Sequence, residues 1–170
     1  MKNIVLIGFM GVGKGSIARA MVKKTAMMAL DTDDVIESIE NRSIKAIFAA
    51  DGEEYFRNLE RKVARWLKKN VTGTIISTGG GFYKVPALKK VGTVILLNAP
   101  FDTIYQRIAA HPDAVKKFKK RPLFKDIDKA RALYEERLPQ YLKVADVVID
   151  VSDKTVDMIA KEIIKKGKKR

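Results

Sequence analysis

The sequence predicts a three-layer α/β/α domain built on a parallel sheet. Two observations carry this. Short runs that are apolar throughout alternate with helix-like segments along the 170 residues, the mark of strands covered on both faces. The first run, Ile4-Val5-Leu6-Ile7, also leads into a glycine-rich turn that opens onto a helix-like stretch, which is how doubly wound domains begin.

The predicted strands are Ile4–Ile7, Met27–Leu30, Thr74–Ser77, Val94–Leu97 and Val147–Ile149, five in all. Between and after them, helical spacing fits Lys14–Ala26, Asp34–Asn41, Ile44–Ala50, Glu53–Lys69, Pro86–Lys90, Phe101–Ala110, Ile127–Val144 and Lys154–Lys165. In Glu53–Lys69, residues Phe56, Leu59, Val63 and Trp66 form one stripe and are expected in the core. Arg57 and Glu60 fall three apart on the adjoining face. Ser43 and Asp153 are suited to cap the helices that follow them. His111–Asp126 has no apolar period and carries Lys116, Lys117, Lys119, Lys120, Arg121 and Lys125. A stretch of this kind inside a compact domain is usually functional, and here it reads as a lid over phosphates. Length predicts one domain over 1–170, with the lid at 111–126 and a basic tail at 165–170.

Composition excludes several classes. Without cysteine there is no disulfide framework and no thiolate metal site. No apolar run approaches the length that spans a bilayer. The first residues run straight into a strand, so no secretory signal is expected. A cytoplasmic monomer without a membrane partner follows as the expectation. The formal net charge is +14, from 34 basic and 20 acidic residues. No nucleic-acid motif or aromatic interleaving accompanies it, so the charge reads as a solvated surface and a field for anionic substrates.

Gly8-Phe9-Met10-Gly11-Val12-Gly13-Lys14 matches the phosphate-binding pattern G-x-x-x-x-G-K. Gly11, Val12 and Gly13 offer backbone N–H groups, the helix N-terminus adds its dipole, and Lys14 is a mobile charge for β- and γ-phosphates. The residue after the lysine normally carries a hydroxyl for Mg²⁺. Here it is Gly15, and the hydroxyl comes one position later, at Ser16. Gly-Lys-Gly-Ser is similar to the Gly-Lys-Gly-Thr variant of adenylate kinases. That likeness implies a metal held largely through water and carboxylates, with Ser16 facing the phosphates.

Asp31-Thr32-Asp33-Asp34 follows the second strand. Carboxylates there face the ligand crevice of such folds. Asp31 is placed for metal-bound water. Asp33 suits either orienting and deprotonating a substrate hydroxyl or capping the next helix, and Asp34 suits capping alone. Ser77-Thr78-Gly79-Gly80-Gly81 follows the third strand, where bare backbone can approach a small polar ligand and Ser77 can hold a metal water. Arg57, Arg121 and Arg137 are candidate anion clamps. His111, the lone histidine, reads as exposed.

Taken in order, these segments resemble shikimate kinase over nearly the whole chain. The resemblance is carried by Ile7-Gly8-Phe9-Met10-Gly11, Asp31-Thr32-Asp33 with Ile36-Glu37, and Ser43-Ile44 with Ile47-Phe48. It continues through Asp51-Gly52-Glu53, Phe56-Arg57 with Glu60, and Gly79-Gly80-Gly81. Arg121-Pro122-Leu123, then Arg137-Leu138-Pro139 with Tyr141, then Ala145-Asp146 complete it. The resemblance implies transfer of the γ-phosphoryl of ATP, with Mg²⁺, to the 3-hydroxyl of shikimate on the route to chorismate. It implies Lys14, Asp33 and Arg121 as catalytic residues. Shikimate would meet Asp33, Arg57, Gly79, Gly80, Gly81 and Arg137. ATP would meet residues 11–16, Arg107, Arg121 and the loop Ser152–Lys154. Metal waters would meet Ser16, Asp31 and Ser77. Three departures stand out: Gly15, the long lysine-rich stretch from Arg107 to Arg121, and Thr25 where the family continues toward Leu-Gly.

Two other readings stay open on the sequence. Gly15 also suits a P-loop kinase for another small metabolite or a nucleoside monophosphate. Gly15 together with the charge suits a nucleotide-binding protein that has lost catalysis.

Overall fold

The computed structural model describes residues 2–119 and 122–167. Five parallel strands form one sheet: β1 Ile4–Ile7, β2 Met28–Asp31, β3 Thr74–Ser77, β4 Thr93–Asn98 and β5 Val147–Asp150, in the order β2-β3-β1-β4-β5. The order reverses about β1, so the crevice at its carboxyl end lies at the topological switch point. Helices cover both faces: α1 Lys14–Val22, α2 Thr32–Glu40, α3 Ile44–Asn70, α4 Phe101–Ala109, α5 Ala114–Lys119, α6 Ile127–Val144 and α7 Val156–Gly167. β1 and β4 are buried almost without break, as their apolar sequences require. β2 differs, because it is an edge strand and Met28 stands 71% exposed.

Several boundaries depart from the sequence reading for local reasons. The helix expected over Lys14–Ala26 stops at Val22, and Thr25 Oγ1 donates to the Met21 carbonyl at 2.9 Å, tying off the last turn. α2 begins at Thr32, because Asp31 rather than Asp34 caps it, accepting from the Asp33 N–H at 2.9 Å. Ser43 caps α3 as expected, accepting from Ala46 N–H at 3.2 Å. α3 carries a break at Gly52, with φ 78° and ψ −178°. That conformation suits glycine, and it separates the two helical segments read from the sequence. Pro86–Lys90 is reduced to a single 3₁₀ turn at Leu88–Lys90. The last helix starts at Val156, not Lys154: Thr155 Oγ1, not Asp153, accepts from Met158 N–H. Lys165 and Lys166 continue α7, with Lys166 paired to Glu162 at 2.9 Å, so that part of the expected tail is helical.

The core stripe of α3 also shifts by one residue. Leu67 is fully buried, whereas Trp66 is 45% exposed. Phe56, Leu59, Val63 and Leu67 advance by three or four residues at each step, which keeps them on one face. A buried leucine contributes about 1.5–3 kcal/mol, and Trp66 lies outside that packing. His111 is half-buried, not simply exposed, and its Nδ1 accepts from Asp113 N–H at 3.0 Å. The described parts of 111–126 carry more regular structure than the sequence suggests. They hold α5 and a 3₁₀ turn at Pro122–Lys125, and an aromatic cluster joins both to α4 and the phosphate loop. Phe118 meets Tyr105 and Phe124, with ring centroids 5.5 and 6.0 Å apart. Phe124 in turn meets Phe9 of the phosphate loop at 6.3 Å.

Candidate active site

The loop after β1 wraps the N-terminus of α1. Gly13 caps the helix at φ 108°, a left-handed conformation that a side chain would strain. Gly11 packs so closely on α4 that an added Cβ would collide with Ile108 and lie 3.3 Å from Ile104 Cγ2. Phe9 is buried against Tyr134 of α6 in an edge-to-face pair at 5.4 Å. The loop is therefore held from both sides. Lys14 Nζ donates to the carbonyls of Gly8 at 2.7 Å and Phe9 at 3.2 Å, so the cation lies across the concave turn. Ser16 is exposed, and its Oγ accepts from Arg19 Nη2 at 3.3 Å.

The sheet register brings the second group of residues together. Asp31 and Ser77 are paired positions of neighbouring parallel strands. Ser77 Oγ donates to Asp31 Oδ2 at 2.6 Å, while Asp31 Oδ1 receives the Asp33 N–H. Asp31 thus both caps α2 and presents a carboxylate beside the crevice. Thr32 is fully buried, and its Oγ1 accepts the Gly79 N–H at 3.1 Å, locking the start of α2 to the glycine triplet.

Around Gly79–Gly81 the side chains approach bare backbone. A Cβ on Gly79 would run into the Asp33 carboxylate, with Cγ at 3.1 Å, and one on Gly81 would strike the Arg57 guanidinium, with Cζ at 2.7 Å. The Gly80 carbonyl accepts from Arg137 Nη1 at 3.3 Å and from the Tyr141 hydroxyl at 2.5 Å. Arg57 Nη1 donates to Glu60 Oε2 at 2.6 Å, and Nε and Nη2 donate to Glu53 Oε1. Burial disfavours the Arg57 charge, but its bonds to Glu60 and Glu53 outweigh this and hold its pKa above the ordinary value.

Three buried side-chain atoms of the described residues have no hydrogen-bond partner: Asp33 Oδ1, Glu60 Oε1 and Arg137 Nε. All three belong to residues around the glycine triplet. An unsatisfied buried polar atom costs about 1–3 kcal/mol, and two carboxylates with a guanidinium make a cradle for a ligand that both donates and accepts. Asp33 is half-buried as a residue, yet its Oδ1 is shut off from solvent. Burial first, then the charges of Asp31 and Glu60, push its pKa from the ordinary 3.8 to about 7, against the opposing pull of Lys14. Burial likewise raises Glu60 despite Arg57, and pushes the Tyr141 hydroxyl to about 12, so it stays a donor.

A third group forms around Arg107 and the loop before α7. Arg107 Nη2 donates to the carbonyls of Val151, at 2.5 Å, and Ser152, which pins the loop before α7. Lys154 pairs with Glu162 at 2.7 Å. Arg121 lies outside the described residues. The structure gathers the other predicted site residues into three neighbourhoods: Lys14 to Ser16, Asp31 with Ser77 beside Asp33 and Gly79–Arg57–Arg137, and Arg107 with the 151–154 loop. Thr32, Glu60 and Tyr141 complete the middle group. Tyr141 was legible as the residue one helical turn after Arg137. Thr32 has no sequence signal beyond standing between two aspartates.

Among the described residues no group of three or more His, Asp or Glu forms a metal nest, and no helix is long and apolar enough to cross a membrane.

The family model for shikimate kinase matches residues 10–168. The shikimate kinase of Helicobacter hepaticus is 40% identical over 164 residues, covering 96% of this chain and 95% of that protein. The solved shikimate kinase of Acinetobacter baumannii, in complex with shikimate, superposes with a TM-score of 0.82 at 29% identity, covering 97% of this chain and 92% of its own. That of Aquifex aeolicus gives 0.76 at 32% identity, covering 96% and 94%. Loop, paired Asp31 and Ser77, and glycine cradle thus stand on a chain whose whole length matches these enzymes: it belongs to the shikimate kinase family.

Proposed function

We propose that this chain transfers the γ-phosphoryl group of ATP to the 3-hydroxyl of shikimate. The observation that carries the acceptor assignment is the set of partnerless buried atoms around Gly79–Gly81. Shikimate offers a carboxylate and three hydroxyls. Arg137 and Arg57 are cations suited to the carboxylate, in the fork geometry guanidinium allows. Asp33 accepts from the hydroxyls, and Gly79–Gly81 let the ring approach the backbone.

In the transfer, the acceptor oxygen attacks the γ-phosphorus while the bond to the β-bridging oxygen breaks. The acceptor proton passes to Asp33, whose pKa of about 7 makes the exchange possible near neutral pH. Lys14 exchanges its carbonyl partners for phosphate oxygens, and backbone N–H groups of residues 11–16 cradle the chain of phosphates. Arg121 closes over the transferred group, with 111–126 as the lid. Arg107 and Ser152–Lys154 flank the adenine. Positioning and electrostatics supply most of the rate in such reactions.

The residues present fit Mg²⁺. That ion keeps several waters and takes one or two carboxylates plus substrate phosphates, and Asp31 with Ser77 is a donor set of that kind. Ser16 adds a hydroxyl from the first turn of α1. Bound there, the ion would neutralise charge on the β- and γ-phosphates. The same reading makes the protein a cytoplasmic monomer of one kinase domain with no nucleic-acid partner.

A coupled ADP-release assay over shikimate, gluconate and AMP tests the assignment. Turnover with shikimate alone is expected. Turnover with AMP or gluconate but not shikimate would refute it.

A further inference from the structure

Position 15 leaves the phosphate loop without its usual hydroxyl, and one side chain stands over the gap. A Cβ built on Gly15 would lie 3.5 Å from Arg19 Nη1. The same guanidinium donates from Nη2 to Ser16 Oγ at 3.3 Å. Arg19 belongs to the last turn of the nine-residue α1, yet its charge reaches back over the first turn. Long side chains on a helix lean toward its N-terminus, so contacts at i−3 and i−4 follow directly from the fold.

That placement runs against helix electrostatics. A cation is disfavoured at the positive end of a helix dipole. Lys14 already occupies that end, and the first turn holds no acidic side chain. No ion pair among the described residues involves Arg19. Lys14 and Arg19 thus place two cations over one helix start, an arrangement complementary to a polyanion.

We propose that Arg19 is a nucleotide-phosphate ligand in this chain, its guanidinium taking over the charge neutralisation that a metal-bound hydroxyl at position 15 would support. A planar guanidinium can hold two phosphate oxygens at once, whereas a hydroxyl committed to a metal acts on the phosphates through that ion. The inference rests on the nucleotide reading of the loop, and it makes nucleotide affinity less dependent on the divalent cation than a serine at position 15 would.

Calorimetric titration of ADP, with Mg²⁺ and separately with a chelator, tests this on the parent chain, Arg19→Gln and Gly15→Ser/Arg19→Gln. Glutamine keeps a donor for Ser16 and removes the charge. In chelator, Arg19→Gln should weaken ADP by about tenfold or more, the scale of one charge-assisted phosphate contact. Shikimate affinity should stay within about twofold. Adding Gly15→Ser should restore ADP affinity only when Mg²⁺ is present. ADP affinity in chelator within about twofold of the parent would overturn the proposal, as would an equal loss of shikimate affinity, which marks general damage. A parent chain that binds shikimate but no ADP would refute the nucleotide reading itself.

Discussion

Among the described residues, three polar atoms around Gly79–Gly81 are buried without a partner, whereas in the phosphate loop Lys14 and Ser16 are hydrogen-bonded by the chain itself. The two sides of one crevice are prepared in opposite ways. On the glycine-triplet side the fold has already desolvated two carboxylates and a guanidinium, and a matching ligand recovers that cost. On the loop side, binding must first exchange bonds such as Lys14 to the Gly8 carbonyl. The triplet side therefore discriminates, and the loop side grips any suitable polyphosphate. The small acceptor is thus the partner met by a preorganised surface, and the nucleotide the partner that remodels its surroundings.

The comparison breaks most visibly at Asp33. Asp33→Asn should lower kcat by about 10³-fold, the central range for a general base, read by coupled ADP release. The buried charge disappears with the substitution, so the unfolding midpoint at pH 8 should not fall. A midpoint several degrees lower would show that Asp33 acts mainly as a structural residue.

Arg137→Ala should weaken shikimate by about 100-fold, because a buried charged hydrogen bond is lost, and should leave ADP affinity within about twofold. Equal losses for both ligands in calorimetry would erase the division between the two sides. Arg57 is a poorer probe, since its removal strands Glu60, which is 1% exposed.

The pH dependence follows from Asp33 with a definite sign. Its pKa is raised from 3.8 to about 7. Below the lower value the group is protonated in folded and unfolded chains alike. Between them only the folded chain keeps the proton, so stability falls as pH rises and levels off above about 7. This group alone accounts for at most about 4 kcal/mol across that window. Meanwhile kcat/KM for shikimate should drop about tenfold for each unit below pH 7. A flat profile from pH 5 to 8 would remove Asp33 as the base.

Smaller effects are expected from the backbone. Gly81→Ala pushes a methyl into the Arg57 guanidinium, and should raise KM for shikimate by about tenfold, roughly the cost of one displaced hydrogen bond. An unchanged KM would show that Arg57 yields freely. Gly15→Ser meets only an ordinary contact, so it should stabilise the fold by about 0.5 kcal/mol through helix propensity and leave shikimate affinity unchanged.

Much of this frame was legible in the sequence, for physical reasons that also mark its limits. Continuous burial made the strands plain, and a phosphate loop must place its glycines and lysine at fixed spacing. The break at Gly52 was legible too, because a glycine flanked by two helical patterns has one obvious use. Trp66 misled because helical spacing alone permits either it or Leu67 to follow Val63. The stretch 111–126 looked irregular because its anchors, Phe118 and Phe124, pack on residues distant in sequence. The same reason hid Thr32, whose partner is Gly79, and Arg19, whose position matters only beside Gly15.

Titrating shikimate into the nucleotide-free protein at pH 8, by calorimetry, tests the central contrast most directly. A prepared acceptor cradle predicts saturable one-to-one binding without ADP or metal, weakened about 100-fold by Arg137→Ala. Binding that emerges only after ADP and Mg²⁺ are added would contradict it, since the cradle would then be a product of nucleotide binding and not of the fold.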